Sequence, residues 1–445
     1  MRILLYAINH APEIIGIGKY MGELAEWLAT RGHEVRVITA PPYYPAWRVA
    51  EGYSARRYSR EARDGCTVYR CPLWLPRPTS AGNRIVHLLS FALSSLPVAL
   101  WQGLVWRPAV VFAVEPPLFC APAAWAAARL GGAAAWLHVQ DFELDVAFEL
   151  GLVEGNAART LVGWMERAVL GRFDVVSAIS RRMCERLGEK GIARDRIALF
   201  ENWVDTRAIR PLDGPSPMRA ELAIDADAVV ALYAGNMGEK QGLETLLTAA
   251  KALSARPDIR FVLAGDGAAR ARYEAMAEGQ ENVRFLGLQP DHGLNDLLNL
   301  ADVHLLPQRA DAADLVMPSK LIGMLGSGRP VIAGAAPGTE IATTLERCGV
   351  VVPPDDGAAM AAAIESLAAE PARRRALGRA ARETAVARGP WKQSRESQYR
   401  RAWLSVGLWS WTMRCTMFRT ARWPRIRWPG STSGWRRRSG RPRRT

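Results

Sequence analysis

The chain has 445 residues, 49% of them hydrophobic and 23% charged, enough for two domains of about 100–200 residues each. Its net charge of +14 is unevenly spread: residues 406–445 hold eleven arginines and no acid, so 14 − 11 leaves about +3 for the rest, which excludes a broadly basic nucleic-acid-binding surface. The six cysteines (Cys66, Cys71, Cys120, Cys184, Cys348, Cys415) form no C-x-x-C pair and MRILLYAI opens on a strand pattern instead of a signal sequence, so a cytoplasmic setting is expected.

In chain order, Ile3–Ile8 is a short apolar run, followed by a glycine-containing loop and by KYMGELAEWLATRG, whose Tyr20, Leu24, Trp27 and Leu28 share one helical face. HEVRVIT supplies a second strand and completes a βαβ unit. Apolar runs at 109–114, 133–139 and 174–180 continue the alternation, which predicts a parallel sheet covered by helices. Ile85–Trp106 carries no charge over 22 residues, long enough to cross a bilayer. Its His87, Pro97, Gln102 and three serines, and its position inside one domain, predict a buried or membrane-surface helix instead.

The pattern restarts at VVALYAG (229–235), with a helix at LETLLTAAKALS and further strands at 260–265, 283–287, VHLLP and 330–334. The prolines, glycine and polar residues of FENWVDTRAIRPLDGPSP mark the break. The expected architecture is α/β: two Rossmann-like doubly wound domains, 1–205 and 206–385, facing a central cleft, then a helix over 386–405. The Arg/Trp-rich stretch 406–445 follows no period. It reads as a non-native or frame-shifted terminus, with a membrane or polyanion tether as the alternative.

Three loops carry the candidate chemistry. In PEIIGIGKY, Gly16 and Gly18 lie between the first strand and helix, as a tight turn or as a place where backbone amides approach a phosphate. The dinucleotide fingerprint G-x-G-x-x-G is absent, because position 21 is Met. In AGNMGEKQGLETL, at the matching junction of the second domain, Lys240 is positioned to meet a diphosphate beside Asn236 and Gln241. In DAADLVMPSKLIGMLGSGRPVIAG, Pro318 and Ser319 start a helix, Lys320 adds a positive charge, and Asp311 and Asp314 suit sugar hydroxyls. Asp225 and Asp227 form a D-x-D, but their setting before a strand reads as solvated turn carboxylates.

These loops, together with SAISRRMCERL, ENWVD (Asn202, Val204, Asp205), LAGDG at 263–267, VRFLG and LADVHLLP, occur in an order that resembles the retaining GT-B glycosyltransferases of family 4. The resemblance covers nearly all of residues 1–405 and is greatest to enzymes of exopolysaccharide (colanic-acid-type) biosynthesis. It implies a nucleotide-diphosphate sugar held mainly by the second domain, an acceptor held by the first, transfer with retention, and no metal or other cofactor. The acceptor it implies is a lipid-linked saccharide at the inner membrane face. In the stretch ending LHVQD the family often places a His–Asp pair; here Asp141 is preceded by Gln140, with His138 two positions earlier. Strand alternation puts His138 and Gln140 on one face, so His138 reads as a satisfied core histidine, or as a catalytic one if the strand ends early; the catalytic candidates are Asp141, His138, Lys240 and Asp314.

The departures matter as much. Where many members carry paired glutamates, this chain has Leu315 and Gly323, and Asn236 stands for the usual arginine of the diphosphate loop. A sugar-nucleotide epimerase of the same architecture is the nearer alternative. An oxidoreductase is the more distant one, lacking its fingerprint and acidic ribose ligand.

Overall fold

Two sheets organise the chain. In the computed structural model, residues 1–14, 16–76, 81–142, 156–238, 241–310 and 320–388 are described, all within one compact unit spanning Met1–Val406. The first sheet has eight strands: β1 (Arg2–Tyr6), β2 (Glu34–Thr39), β3 (Ser59–Arg63), β4 (Cys66–Arg70), β5 (Val110–Glu115), β6 (Ala134–Val139), β7 (Val175–Ala178) and β8 (Ile197–Leu199). Their order is β3-β4-β2-β1-β5-β6-β7-β8, parallel throughout except for the antiparallel β3–β4 edge. Leu4 lies opposite Val111 and Leu5 opposite Val37. β5 is buried along its whole length, because helices cover both faces.

The second sheet has six parallel strands, β9 (Val229–Ala234), β10 (Ile259–Ala264), β11 (Val283–Leu286), β12 (Val303–Leu306), β13 (Val331–Gly334) and β14 (Gly349–Val352), in the order β11-β10-β9-β12-β13-β14. In each sheet the strand order reverses beside the first strand, between β1 and β5 and between β9 and β12. Such a switch point opens a crevice at the carboxyl edge where ligands bind.

The helices that matter below are α1 (Gly16–Thr30), α2 (Ala81–Trp101), α3 (Ala121–Gly131), α4 (Asn156–Leu170) and α5 (Arg181–Glu189) of the first domain. The second domain contributes α6 (Met218–Glu221), α7 (Glu244–Ala252), α8 (Arg270–Met276), α9 (Leu294–Leu300), α10 (Lys320–Gly326), α11 (Glu340–Leu345), α12 (Gly357–Ala369) and α13 (Pro371–Ala387). Tyr20, Leu24, Trp27 and Leu28 are indeed the buried face of α1.

The segment between the domains is anchored at both ends. At its start, Asn202 and Gln140 exchange two amide hydrogen bonds of 3.0 Å, and the Trp203 indole donates to Glu23 at 2.5 Å and meets Tyr20 edge-on at 5.1 Å. Further on, Arg382 of α13 donates to the carbonyls of Thr206, Ile209 and Gly326. Asn295 and Asn299 of α9 accept from the amides of Arg210 and Leu212. Elsewhere the domains touch through polar groups. The Arg182 amide in the first turn of α5 donates to Glu340 at 3.3 Å, and Arg388 pairs with Glu201 at 3.6 Å.

Candidate active site

The carboxyl edge of the second sheet is built on a close approach of two loops. A Cβ on Gly265 would stand 1.9 Å from the Gly235 carbonyl oxygen, and Gly265 has φ +144°, so only glycine fits there. The turn after β9 is thereby held against the turn after β10, with the Met237 amide donating to the Asp266 carbonyl at 2.8 Å. Tyr233, near the end of β9, donates its hydroxyl to the Asn236 carbonyl at 2.6 Å. Asn236 itself is exposed at the rim.

Lys320, the first residue of α10, lies over this platform. Its ammonium sits 4.0 Å above the Tyr233 ring and 3.4 Å from Gln241 Oε1, to which it donates. Among the described residues no carboxylate pairs with it, and burial pushes its pKa from 10.5 down to about 7. Gly323, where a family glutamate would stand, is one turn further along the same side of α10. An incompletely solvated ammonium beside a glycine-lined turn is suited to an arriving anion.

Across the cleft, the loop after β1 carries Gly16 at φ +60°, with the Tyr44 ring beside it. Gly18 has a packing role: a Cβ there would meet Glu13 Cβ at 2.6 Å and Oε2 at 2.7 Å. Buried Glu13 accepts from the amides of Tyr43 and Tyr44 and from the Asn9 side chain, each at 2.9 Å. Burial raises its carboxyl above the ordinary range. Glu13 therefore pins the β2 loop to the β1 loop, and a phosphate next to Gly18 would meet a carboxylate, which leaves Gly16 as the anion candidate of this loop. Gly18→Ala is expected to cost about 1–3 kcal/mol by overpacking, read as a lower melting temperature; an unchanged melt would sink this role.

The two loop sets face each other. Tyr44 of the first domain is near enough to add to the upward shift of the Tyr233 hydroxyl, after burial and Tyr273. The sequence singled out neither Glu13, Tyr44 nor Tyr233, since a carboxylate and two tyrosines in loops and strand ends carry no spacing signal.

His138 requires a correction. It is fully buried on β6, where Gln140 Nε2 donates to its Nε2 at 3.0 Å and its Nδ1 lies 2.9 Å from Ser177 Oγ. Gln140 has no other group to give there, so Nε2 is the acceptor and Nδ1 carries the proton. Burial lowers its pKa to about 3. The expectation of a catalytic His138 therefore fails: it is a neutral core histidine that fixes Gln140, which in turn holds Asn202. Asp141, one residue on, is partly buried at the carboxyl edge. Lys240, Asp314, Pro318 and Ser319 lie outside the described residues, as do Asp311 and Leu315. Asp225 and Asp227 are exposed in the turn before β9, at the sheet edge opposite the cleft.

A cavity of about 540 Å³ lies away from the cleft, at the amino edge of the second sheet, lined by Arg329, Arg375, Arg379 and Arg382 among others. Its largest lining elements are α13 and the turn before β13, so it is separate from the Lys320 platform.

Known proteins share this arrangement. Residues 16–203 match the family model described as a glycosyl transferase 4-like domain, and residues 228–370 match glycosyl transferases group 1. The chain is 42% identical over 374 residues to the colanic acid biosynthesis glycosyl transferase WcaI of Escherichia coli K12, covering 82% of this chain and 91% of that protein. Among solved structures, sucrose-phosphate synthase from Thermosynechococcus elongatus superposes with a TM-score of 0.71 at 21% identity, over 91% of this chain and 99% of that one. HepE from Anabaena, in complex with UDP and glucose, superposes with a TM-score of 0.66 at 14% identity, over 92% and 99%. These distant structures establish the fold; the sequence match establishes the family. With two facing Rossmann-like domains and matches across both, the chain belongs to the family 4 glycosyltransferases of GT-B fold.

Proposed function

We propose that this glycosyltransferase moves a sugar from a nucleotide-diphosphate donor to a lipid-linked saccharide, with retention of anomeric configuration and without a metal ion, in exopolysaccharide assembly of the colanic-acid type. The acceptor is taken to be at the cytoplasmic face of the inner membrane. The observation that carries the donor half of this reading is Lys320, held over Tyr233 at the glycine-lined turn without a carboxylate partner among the described residues. When the anomeric C–O bond to the donor breaks, its electron pair remains on the diphosphate. A pre-positioned cation stabilises that developing charge without reorganising. Asp141, on the facing edge, is the proposed positioning group for sugar or acceptor. Support for the pathway comes from the relative WcaI.

Thermal melting of the full chain with GDP, UDP, their sugar conjugates and NAD(P) tests the reading. A native-state ligand at about a hundred times its Kd adds about 2.7 kcal/mol. One nucleotide-diphosphate class is expected to raise the melting temperature. Stabilisation by NAD(P) alone, or by nothing in the panel, would overturn the proposal.

A further inference from the structure

The cavity at the amino edge of the second sheet is walled by a helix and a turn that two glycines allow to meet. A Cβ on Gly378 of α13 would stand 2.4 Å from the Gly328 carbonyl oxygen, and one on Gly328, at φ +73°, would stand 2.7 Å from Pro211 Cγ. The helix is thereby seated directly on the turn before β13. That seating gathers guanidinium groups: Arg374, Arg375, Arg379 and Arg382 of α13 and Arg329 of the turn all line one space of about 540 Å³.

Two of the five are used by the protein itself. Arg374 donates to the carbonyls of Leu367 and Ala368, at the negative end of α12, at 2.7 and 3.1 Å, and Arg382 clamps the interdomain segment through Thr206 and Ile209. The other three are uncommitted. Among the described residues Arg329, Arg375 and Arg379 make no hydrogen bond or ion pair, and Arg329 buries its Nε without an acceptor.

Two carboxylates share the space, and they do not neutralise it. Asp302 Oδ2 already accepts from Arg219 and from the Val230 amide, and Glu383 is exposed one turn beyond Arg379. Five arginines against two carboxylates leave an excess of three positive charges in the lining. The whole of residues 1–405 carries only about +3, so the concentration is local. Burial pulls the Arg329 pKa below the ordinary arginine range, Arg219 and Arg374 adding to the effect and Asp302 opposing it, and burial acts the same way on Arg382. Like charges crowded into partly dry space are costly until a counter-charge arrives.

We propose that this cavity is a second anion site, which takes a small phosphorylated molecule bearing two or more negative charges. Guanidinium forks match phosphate oxygens in pairs. Arg375 and Arg379, one helical turn apart, supply the free donors together with Arg329. The volume is that of a small-molecule site and larger than one phosphate fills, which assigns the ligand an organic body as well. Lying at the edge of the sheet opposite Lys320, the site binds without touching the transferred sugar, and its ligand rests against the Arg382 clamp.

The test is calorimetric titration of inorganic pyrophosphate into the full chain carrying Lys320→Met, so that the outcome does not depend on the proposed donor platform. One pyrophosphate per chain is expected, with an affinity that falls as salt rises. Adding R375Q/R379Q should weaken binding roughly tenfold or more. Adding Glu383→Gln instead should strengthen it roughly two- to fivefold, the range of one exposed charge contact. All three positions are exposed, so the ligand-free melting temperatures should not fall. No binding of pyrophosphate to the Lys320→Met chain would confine anions to the donor platform and overturn the proposal. Equal affinity with and without R375Q/R379Q would place the anion elsewhere and overturn it as well.

Discussion

Lys320→Met is expected to separate stability from ligand binding: the ligand-free variant should melt higher than the parent near pH 6, while nucleotide diphosphates lose much of their stabilising effect. The sign follows from the lysine. Its pKa is about 7 in the folded chain against 10.5 ordinarily, so between those values the unfolded chain binds more protons and stability rises with pH. Below pH 7 the folded protein bears the full cost of a poorly solvated ammonium, and Met, of similar length, removes it. The advantage of the variant should shrink as pH climbs toward 10.5. Loss of one charge-assisted contact to a diphosphate is on the order of 1.5–3 kcal/mol, about ten- to a hundredfold in Kd. Calorimetry adds a second readout: at pH 8 the parent should take up a proton on binding, since an arriving anion restores the charged lysine, and the variant should not. Equal nucleotide affinity in both proteins would remove Lys320 from the site.

Asp141→Asn should leave nucleotide-induced stabilisation intact and lower turnover by roughly 10²-fold, the order for misplaced reacting groups. The reason is location. Asp141 stands on the first domain, at the carboxyl edge of β6, while the Lys320 platform belongs to the second. Asparagine keeps the shape and abolishes the charge. A variant as active as the parent would dismiss the assignment, and one that no longer responds to nucleotide would move Asp141 into the donor site. His138→Gln is not an equivalent test, since His138 is a buried strut for Gln140 and its replacement would disturb packing first.

Much of the fold was legible because buried parallel strands advertise themselves. VVFAVE and VVALYA are apolar runs covered on both faces, bounded by turn residues. The β3–β4 hairpin was not legible. SREAR is an exposed edge strand that carries three charges and no apolar alternation, as edge strands do, and Arg70 on β4 is a buried arginine satisfied by Glu61 and the Ala40 and Ala11 carbonyls. β14, GVVV, is too short to signal itself. In the site, glycines and the lysine were visible as motif elements. Their tasks were not: that Gly18 yields to a carboxylate and that Tyr233 floors the lysine depend on contacts between segments far apart in sequence.

The anchoring of the interdomain segment has a mechanical consequence. Asn202 and Trp203 are fastened to the first domain, while Thr206, Ile209, Arg210 and Leu212 are fastened to the second. Val204 packs against the second-domain core, and Asp205 accepts from the amides of Arg207, Ala208 and Ile209, so the two sets of anchors meet between Trp203 and Val204. The polar contacts Arg182–Glu340 and Arg388–Glu201 can part into water at little cost. The donor platform and the Asp141 edge are thus joined, along this segment, by a handover one peptide long, so that their relative placement is fixed by the anchors on either side of Trp203 and Val204.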